Sequence, residues 1–393
     1  MPFQVVPGAY RFALFFFCYF AFYGVYSPYL SLYFEHLGFN ALQIGVLMAV
    51  IQVTRVFGPT LWGWVADSLH TRIAVVRATS TLALLFFPAL FFVRDFAWMF
   101  CAMALINLFT CSQTPLVEAM AVGVTQGHAG HFGRLRLWGS IGFIVTVGAG
   151  GYVIEHLGVA RFPWIAITLF GLAVASVYQL RDFQAPVPQR IQGRVRQLLV
   201  QPAVAWFFVA SFLMILAHVG WYVFYSIYLS ELGYSKTQVG GMWALGVLAE
   251  VLFFFWQGPV FRRFSLQLIL LACFALAAVR FSIMAWLAQS VVLMMAAQLL
   301  HAATFAAHHT ASVLRLQTWF GGPLQARGQA LYSSLAYGLS GAIGGVALGA
   351  LWKSYGACAV YGLSAIFALL GALAMRQSFY RSQHLAEHVE PSA

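Results

Sequence analysis

The chain has 393 residues, of which 62% are apolar and 8% charged, with a formal net charge of +11. An ordinary soluble domain carries roughly 25% charged residues, so 21 basic and 10 acidic side chains cannot coat a water-soluble fold of this size, and the same apolar excess excludes a disordered chain. A spanning helix takes about 20 apolar residues, so the length holds about twelve short-looped spans and no large soluble domain.

Apolar runs broken by Gly, Pro and charge predict spans at 10–34, 42–68, 73–93, 97–123, 135–156, 162–180, 203–231, 236–261, 266–288, 291–315, 328–352 and 357–377. The first run is too long for a signal-peptide core and lacks a small-residue cleavage site, so it reads as a retained span. With the N-terminus inside, the inner segments and span ends collect Arg11, Arg72, Arg77, Arg134, Arg181, Arg190, Arg194, Arg196, Arg262, Arg263, Arg315, Arg327, Arg376 and Arg381. The outer loops hold Arg94, Arg161, Lys236 and Lys353. That bias predicts that both termini face the cytoplasm and accounts for the basic charge without nucleic acid. Cys18, Cys101, Cys111, Cys273 and Cys358 lie in apolar stretches without metal-type spacing and read as reduced core residues.

The stretch RDFQAPVPQRIQGRVRQLLVQ, residues 181–201, is the one long polar segment and falls at mid-chain. It reads as a cytoplasmic linker between a six-helix half at 1–180 and a second at 202–380, followed by a cytoplasmic tail at 381–393. The halves repeat at an offset of 195 residues: Leu37-Gly38 and Gln43-Ile44-Gly45 recur as Leu232-Gly233 and Gln238-Val239-Gly240, Gly63 as Gly258, and Gly133 as Gly328. Two parallel six-span repeats predict an all-α membrane protein of the major facilitator architecture, with a site between the halves.

Gly63-Trp-Val-Ala-Asp67-Ser-Leu-His-Thr-Arg72 resembles the motif that follows the second span of major facilitator transporters. Gly63, Asp67 and Arg72 match, whereas Ser68, His70 and Thr71 stand where that motif has a basic residue, a glycine and another basic residue. The resemblance implies a gating strip in which Gly63 allows close helix approach and Asp67 meets basic groups or a helix N-terminus. Pro115-Leu-Val-Glu118-Ala and Gly133-Arg134-Leu-Arg136-Leu-Trp-Gly139 resemble, at the same spacing, the sugar-binding carboxylate and arginine segments of the lactose permease and phenylpropionate transporter branch. Phe143 falls at that permease's stacking tryptophan, and Arg280 and His301 at its proton-coupling arginine and histidine. Thr304 replaces its proton-carrying carboxylate, the span 7 aspartates and span 11 lysine have no counterpart, and Glu250 lies about one turn from its span 8 glutamate. The resemblance therefore favours the phenylpropionate type over lactose.

Arg55, Glu118, Arg136, Glu250 and Arg280 lie far from span ends. Facing lipid, five such charges would cost on the order of 15 kcal/mol, so they face protein or a watery cavity. For Arg55 and Arg280 a purely structural ion pair stays open beside a functional role. Helical spacing sets Asn107, Cys111, Thr114 and Glu118 on one face of span 4, Arg136, Ser140 and Phe143 on one face of span 5, and His301, Thr304 and His308 on one face of span 10. Tyr19, Tyr23, Tyr26 and Tyr33 on span 1 and His218, Trp221, Tyr225 and Tyr228 on span 7 form aromatic stripes that suit either packing or a ligand wall. The expected substrate site is Glu118, Arg136, Phe143, Asn107, Tyr23, Tyr26, Trp221 and Tyr225, and the expected proton-coupling group is Glu250, Arg280, His301 and Glu118.

Glycines at 148, 150, 151, 341, 344 and 345 suggest close helix packing. No phosphate loop or nucleophile elbow occurs, and the His301, His308, His309 group lacks nearby carboxylate or thiolate ligands, so no cofactor, metal or enzyme activity is expected. The sequence points to a monomeric proton symporter importing a small organic molecule, an aromatic monocarboxylate ahead of a sugar or nucleoside, with a non-transporting membrane sensor as the reading of another class.

Overall fold

The computed structural model describes residues 8–125, 129–182 and 195–387, which are helical throughout their regular parts. The helices are α1 (Ala9–His36), α2 (Ala41–Ser68), α3 (Arg72–Phe92), α4 (Phe96–Val124), α5 (His131–Leu157), α6 (Phe162–Gln179), α7 (Pro202–Glu231), α8 (Lys236–Arg263), α9 (Leu266–Trp286) and α10 (Val291–Trp319). The stretch Arg327–Gln383 is broken at Gly356, whose φ of 74° no helix contains, into α11 (327–355) and α12 (357–383). The expected linker segment 183–194, with Arg190 and Arg194, and the tail end 388–393 lie outside the described residues.

The sequence repeat has a local structural cause. Gly38 and Gly233 end α1 and α7 with φ of 85° and 86°, a left-handed conformation that costs a residue with a Cβ about 1–2 kcal/mol. Two residues later the next helix opens with a capping box. Asn40 Oδ1 accepts from the Gln43 N–H at 3.1 Å and Gln43 Oε1 from the Asn40 N–H at 3.0 Å. Ser235 and Gln238 do the same at 3.1 and 2.9 Å.

Several spans expected to be continuous are broken or locally widened. Proline offers no N–H to the carbonyl four residues back, and α4 divides at Cys111 and Ser112, just where Pro115 withdraws its bond. Pro88 likewise ends the first part of α3 at Phe86. Segments 302–307 of α10 and 333–339 of α11 are π-helical. The expected single faces of spans 4 and 10 are therefore not ideal helical faces.

The chain forms two compact units, one of residues 1–188 with 223–244 and the other of 189–222 with 245–393. In the first, α1 is the core helix, with Phe15, Phe16, Tyr29, Leu30 and Phe34 fully buried. It crosses α5 at small residues. A Cβ on Gly24 would fall 2.7 Å from the Phe143 carbonyl oxygen, and Thr146 donates to the Ala21 carbonyl at 2.7 Å. Tyr29 donates to the Val147 carbonyl at 2.7 Å, closing the same crossing farther along. In the second unit, α7 meets α12 where Gly220 faces Val360, and meets α11 where Gly344 faces Leu216 and Val219. Of the glycines expected at helix contacts, Gly150, Gly151 and Gly344 make them, and the Cα of Gly148 lies 3.4 Å from where a Cβ on Gly240 would fall.

The five cysteines are free thiols, but Cys101 and Cys358 are exposed and Cys18 is half-buried, which corrects their reading as core residues. In a lipid-embedded chain an apolar position need not be an interior one, because hydrocarbon is itself the solvent.

Candidate functional site

In the first unit, Glu118 from the second part of α4 meets Arg136 from α5: Arg136 Nε donates to Glu118 Oε1 at 3.2 Å, with the side chains 35% and 38% exposed. Arg136 is held in plane by Phe20 of α1, whose ring centroid lies 3.9 Å from the guanidinium carbon. Arg55 of α2 is exposed and donates from Nη2 to the Tyr23 hydroxyl at 3.1 Å. Asn107 and Tyr26 are buried and joined to each other. Asn107 Nδ2 donates to the Met103 carbonyl at 2.8 Å and to the Tyr26 hydroxyl at 3.4 Å, which in turn faces Met103 Sδ at 3.7 Å. Phe143 is half-buried and approaches α1 through its backbone. Tyr225 is buried in the first unit, 5.7 Å from Trp243 between ring centroids.

In the second unit four helices bring together Trp221 of α7, Glu250 of α8, Arg280 of α9 and His301 of α10. His301 Nε2 lies 2.6 Å from Glu250 Oε1, and Arg280 Nη1 lies 2.8 Å from His301 Nδ1 and 3.1 Å from Thr304 Oγ1. Trp221 is buried under this group, with its ring 4.8 Å from the Arg280 guanidinium and 4.5 Å from the His301 ring. The buried arginine exchanges part of its hydration for an imidazole nitrogen, a hydroxyl and an aromatic face.

Two participants were not assigned roles from the sequence. His218 Nε2 stands 3.2 Å from Thr304 Oγ1, and His309 Nδ1 stands 3.1 Å from the Tyr337 hydroxyl. The histidines of α10 at 301 and 308 flank its π-helical turn, and such turns recur at functional sites. Phe20 was visible only as one member of the aromatic run.

The expected gating strip is built differently from its motif. A Cβ on Gly63 would meet nothing within 4 Å, so Gly63 makes no close helix approach. Asp67 is exposed and forms no ion pair among the described residues. The ties come from the next turn: Thr71 donates to Asp182 Oδ2 at 3.0 Å, and Arg77 donates to the Tyr178 and Leu180 carbonyls at 3.2 and 2.9 Å, joining the start of α3 to the end of α6. His70, where the motif has glycine, adopts the glycine-like φ of 54°. Arg72 opens α3, with Thr71 as its N-cap.

The chain is 31% identical, over 92% of its length and 95% of the relative's, to the Probable 3-phenylpropionic acid transporter of Escherichia coli strain K12. It is 25% identical to the maltose permease of Geobacillus stearothermophilus over 70% of each chain. The crystal structure of the nucleoside transporter NupG superposes with a TM-score of 0.81 at 17% identity, covering 95% of this chain and 99% of that one. A bacterial homologue of the human lysosomal transporter Spinster, in an inward-facing and unoccupied conformation, superposes with a TM-score of 0.72 at 12% identity over the whole of both chains. These two likenesses give the fold, and the match of residues 9–363 gives the family: the chain belongs to the MFS_1 like family, as an integral membrane transporter of small molecules of the major facilitator type rather than an enzyme.

Proposed function

We propose that this transporter is a proton symporter of the bacterial inner membrane, with both termini cytoplasmic, working as a monomer and importing a small aromatic monocarboxylate. The functional halves are 1–180 and 202–380, which alternate access by rocking about the linker 181–201, with the tail 381–393 in the cytoplasm and Gly63, Asp67 and Arg72 in the gating strip. The observation that carries the reading is the 31% identity to the phenylpropionic acid transporter across nearly the full chain.

The charges support it. Three intramembrane arginines, Arg55, Arg136 and Arg280, stand against two glutamates, Glu118 and Glu250. An anionic solute offsets the remaining positive charge, whereas a neutral sugar leaves it uncompensated in a poorly hydrated setting. In this reading Arg136, oriented by Glu118 and stacked on Phe20, holds the carboxylate, with Asn107 the polar contact beside it. Phe143, Tyr23, Tyr26 and Tyr225 are the aromatic contacts for the ring in the first unit, and Trp221 packs on the proton-coupling group in the second. Glu250 carries the proton, with Arg280, His301 and Glu118 modulating it: a carboxyl group shielded from water prefers its neutral form and a neighbouring arginine its ionised one, so a change in their separation loads or releases a proton.

The second reading is a nucleoside or sugar symporter, favoured by the NupG fold and the maltose permease relative. Uptake into proteoliposomes decides between them. Radiolabelled 3-phenylpropionate should accumulate under an inward proton gradient, collapse with an uncoupler, and be displaced by aromatic acids but not by nucleosides or maltose. Displacement by nucleosides or sugars alone would hand the site to the second reading.

A further inference from the structure

The 195-residue offset of the repeat carries Tyr23 of α1 to His218 of α7, Tyr26 to Trp221, and Arg55 of α2 to Glu250 of α8. Where the second unit sets a carboxylate among histidines, the first sets a guanidinium among phenols. Tyr23 and Arg55 both stand at the centre of 28-residue helices, so this group lies at mid-depth in the span. Arg136 and Glu118 stand nearer the ends of α5 and α4.

A strip of rings on α1 connects the two cations of the first unit. The Arg136 guanidinium lies over Phe20, whereas Arg55 donates to the Tyr23 hydroxyl at 3.1 Å with its guanidinium carbon 5.6 Å from that ring. Phe20 and Tyr23 are separated by about 4.5 Å of helical rise, and their ring centroids lie 6.3 Å apart. The Tyr19 ring is 5.3 Å from Phe20 and 5.1 Å from Tyr23, and its hydroxyl is within electrostatic reach of both guanidinium groups. The backbone that carries Arg55 is seated firmly. Gly58, one turn farther along α2, faces the Cys111 sulfur so closely that a Cβ there would collide with it, which fixes α2 against the break in α4.

Arg55 is exposed at the centre of its helix, where a cation turned to lipid would be costly, so it faces water or solute. A guanidinium presents N–H donors in a planar fork, and the bond to Tyr23 shows this one set to meet a phenolic oxygen beside an aromatic face. A solute whose carboxylate meets Arg136 lays its ring along Phe20 and Tyr23 and brings its far edge to Arg55.

We propose that Arg55, with Tyr23, is a second anchor of the solute site that binds a hydroxyl group on the aromatic ring, so that the preferred solutes are ring-hydroxylated aromatic monocarboxylates. The inference rests on the aromatic-acid reading above and adds the substituent to it. An apolar wall at this place would have the opposite preference, because a ring hydroxyl that finds no partner is penalised on burial.

Equilibrium binding to the full-length protein in lipid nanodiscs tests the proposal, with 3-phenylpropionate, 3-(3-hydroxyphenyl)propionate and 3-(4-hydroxyphenyl)propionate as probes. One of the hydroxylated acids should bind about tenfold tighter than 3-phenylpropionate, the worth of one hydrogen bond to a charged group. Arg55→Gln should bring that ratio down to about one, whatever it does to the affinities themselves. If that variant does not fold, Arg55→Lys, which loses the planar fork, takes its place with the same expected fall. Hydroxylated acids that bind no tighter than 3-phenylpropionate overturn the proposal, and so does a preference that survives the substitution at Arg55. If none of the three acids binds, the aromatic-acid reading falls and this inference with it, whereas binding of 3-phenylpropionate without the hydroxyl preference overturns this inference alone.

Discussion

Arg136 lies with its guanidinium carbon 3.9 Å from the ring centroid of Phe20, so that the plane of the cation is set by α1 while its charge is met by Glu118 of α4. A cation held in this way is oriented before a ligand arrives, and its partly exposed ion pair contributes little to folding.

Arg136→Lys should therefore separate recognition from stability. The ammonium keeps the charge and loses the planar fork and the stacking. We expect about tenfold or weaker binding of a carboxylate solute, with a melting temperature in detergent close to that of the parent, because an exposed ion pair contributes about 0–1 kcal/mol. Equilibrium binding and thermal scanning on the same preparation check both halves, and unchanged affinity removes Arg136 from the substrate site.

Glu250→Gln retains the shape of the side chain that faces His301 and removes its ability to take up a proton. Accumulation against a gradient should be lost while counterflow exchange of preloaded solute continues, because exchange needs no net proton movement. Accumulation that still follows an imposed acid-outside gradient would exclude Glu250 as the proton carrier.

His70 holds a φ of 54° at the turn between α2 and α3, where any residue with a Cβ is disfavoured. His70→Gly should stabilise the protein by about 1 kcal/mol, offset in part by the greater freedom of glycine in the unfolded chain. Denaturant or thermal unfolding measures it, and a loss of stability would mean that the imidazole makes a contact worth more than the backbone strain.

The adjacent glycines at the start of α8 differ sharply. A Cβ on Gly240 would lie 2.5 Å from both the Tyr29 hydroxyl and the Val147 carbonyl oxygen, while one on Gly241 would meet nothing within 4 Å. Beside this seam Glu155 accepts from the Lys236 N–H at the first turn of α8. Gly240→Ala should cost about 1–3 kcal/mol by overpacking, whereas Gly241→Ala should be neutral or slightly stabilising through its helix propensity. Equal melting temperatures for the two variants would show that the seam opens freely.

The spans and the repeat were legible in the sequence because each depends on residues near one another along the chain. Gly38 and Gly233 take the same left-handed turn, and Gln43 and Gln238 close the same capping box, because a helix end is decided within a few residues. The spacing between Glu118 and Arg136 was also readable, carried by a family resemblance. Other features depended on what packs where. Apolar character placed Cys101 and Cys358 in the interior, yet they are exposed, since lipid accepts the same residues as a protein core. Asp67 matched a motif, but the ties at that turn come from Thr71 and Arg77. Thr304 read as the loss of a titratable group, and only the meeting of α7, α9 and α10 makes it the acceptor of Arg280 and a partner of His218. Hydropathy and capping follow from local chemistry, whereas the direction of a buried hydrogen-bond line follows from which donors and acceptors distant segments bring within about 3 Å of one another.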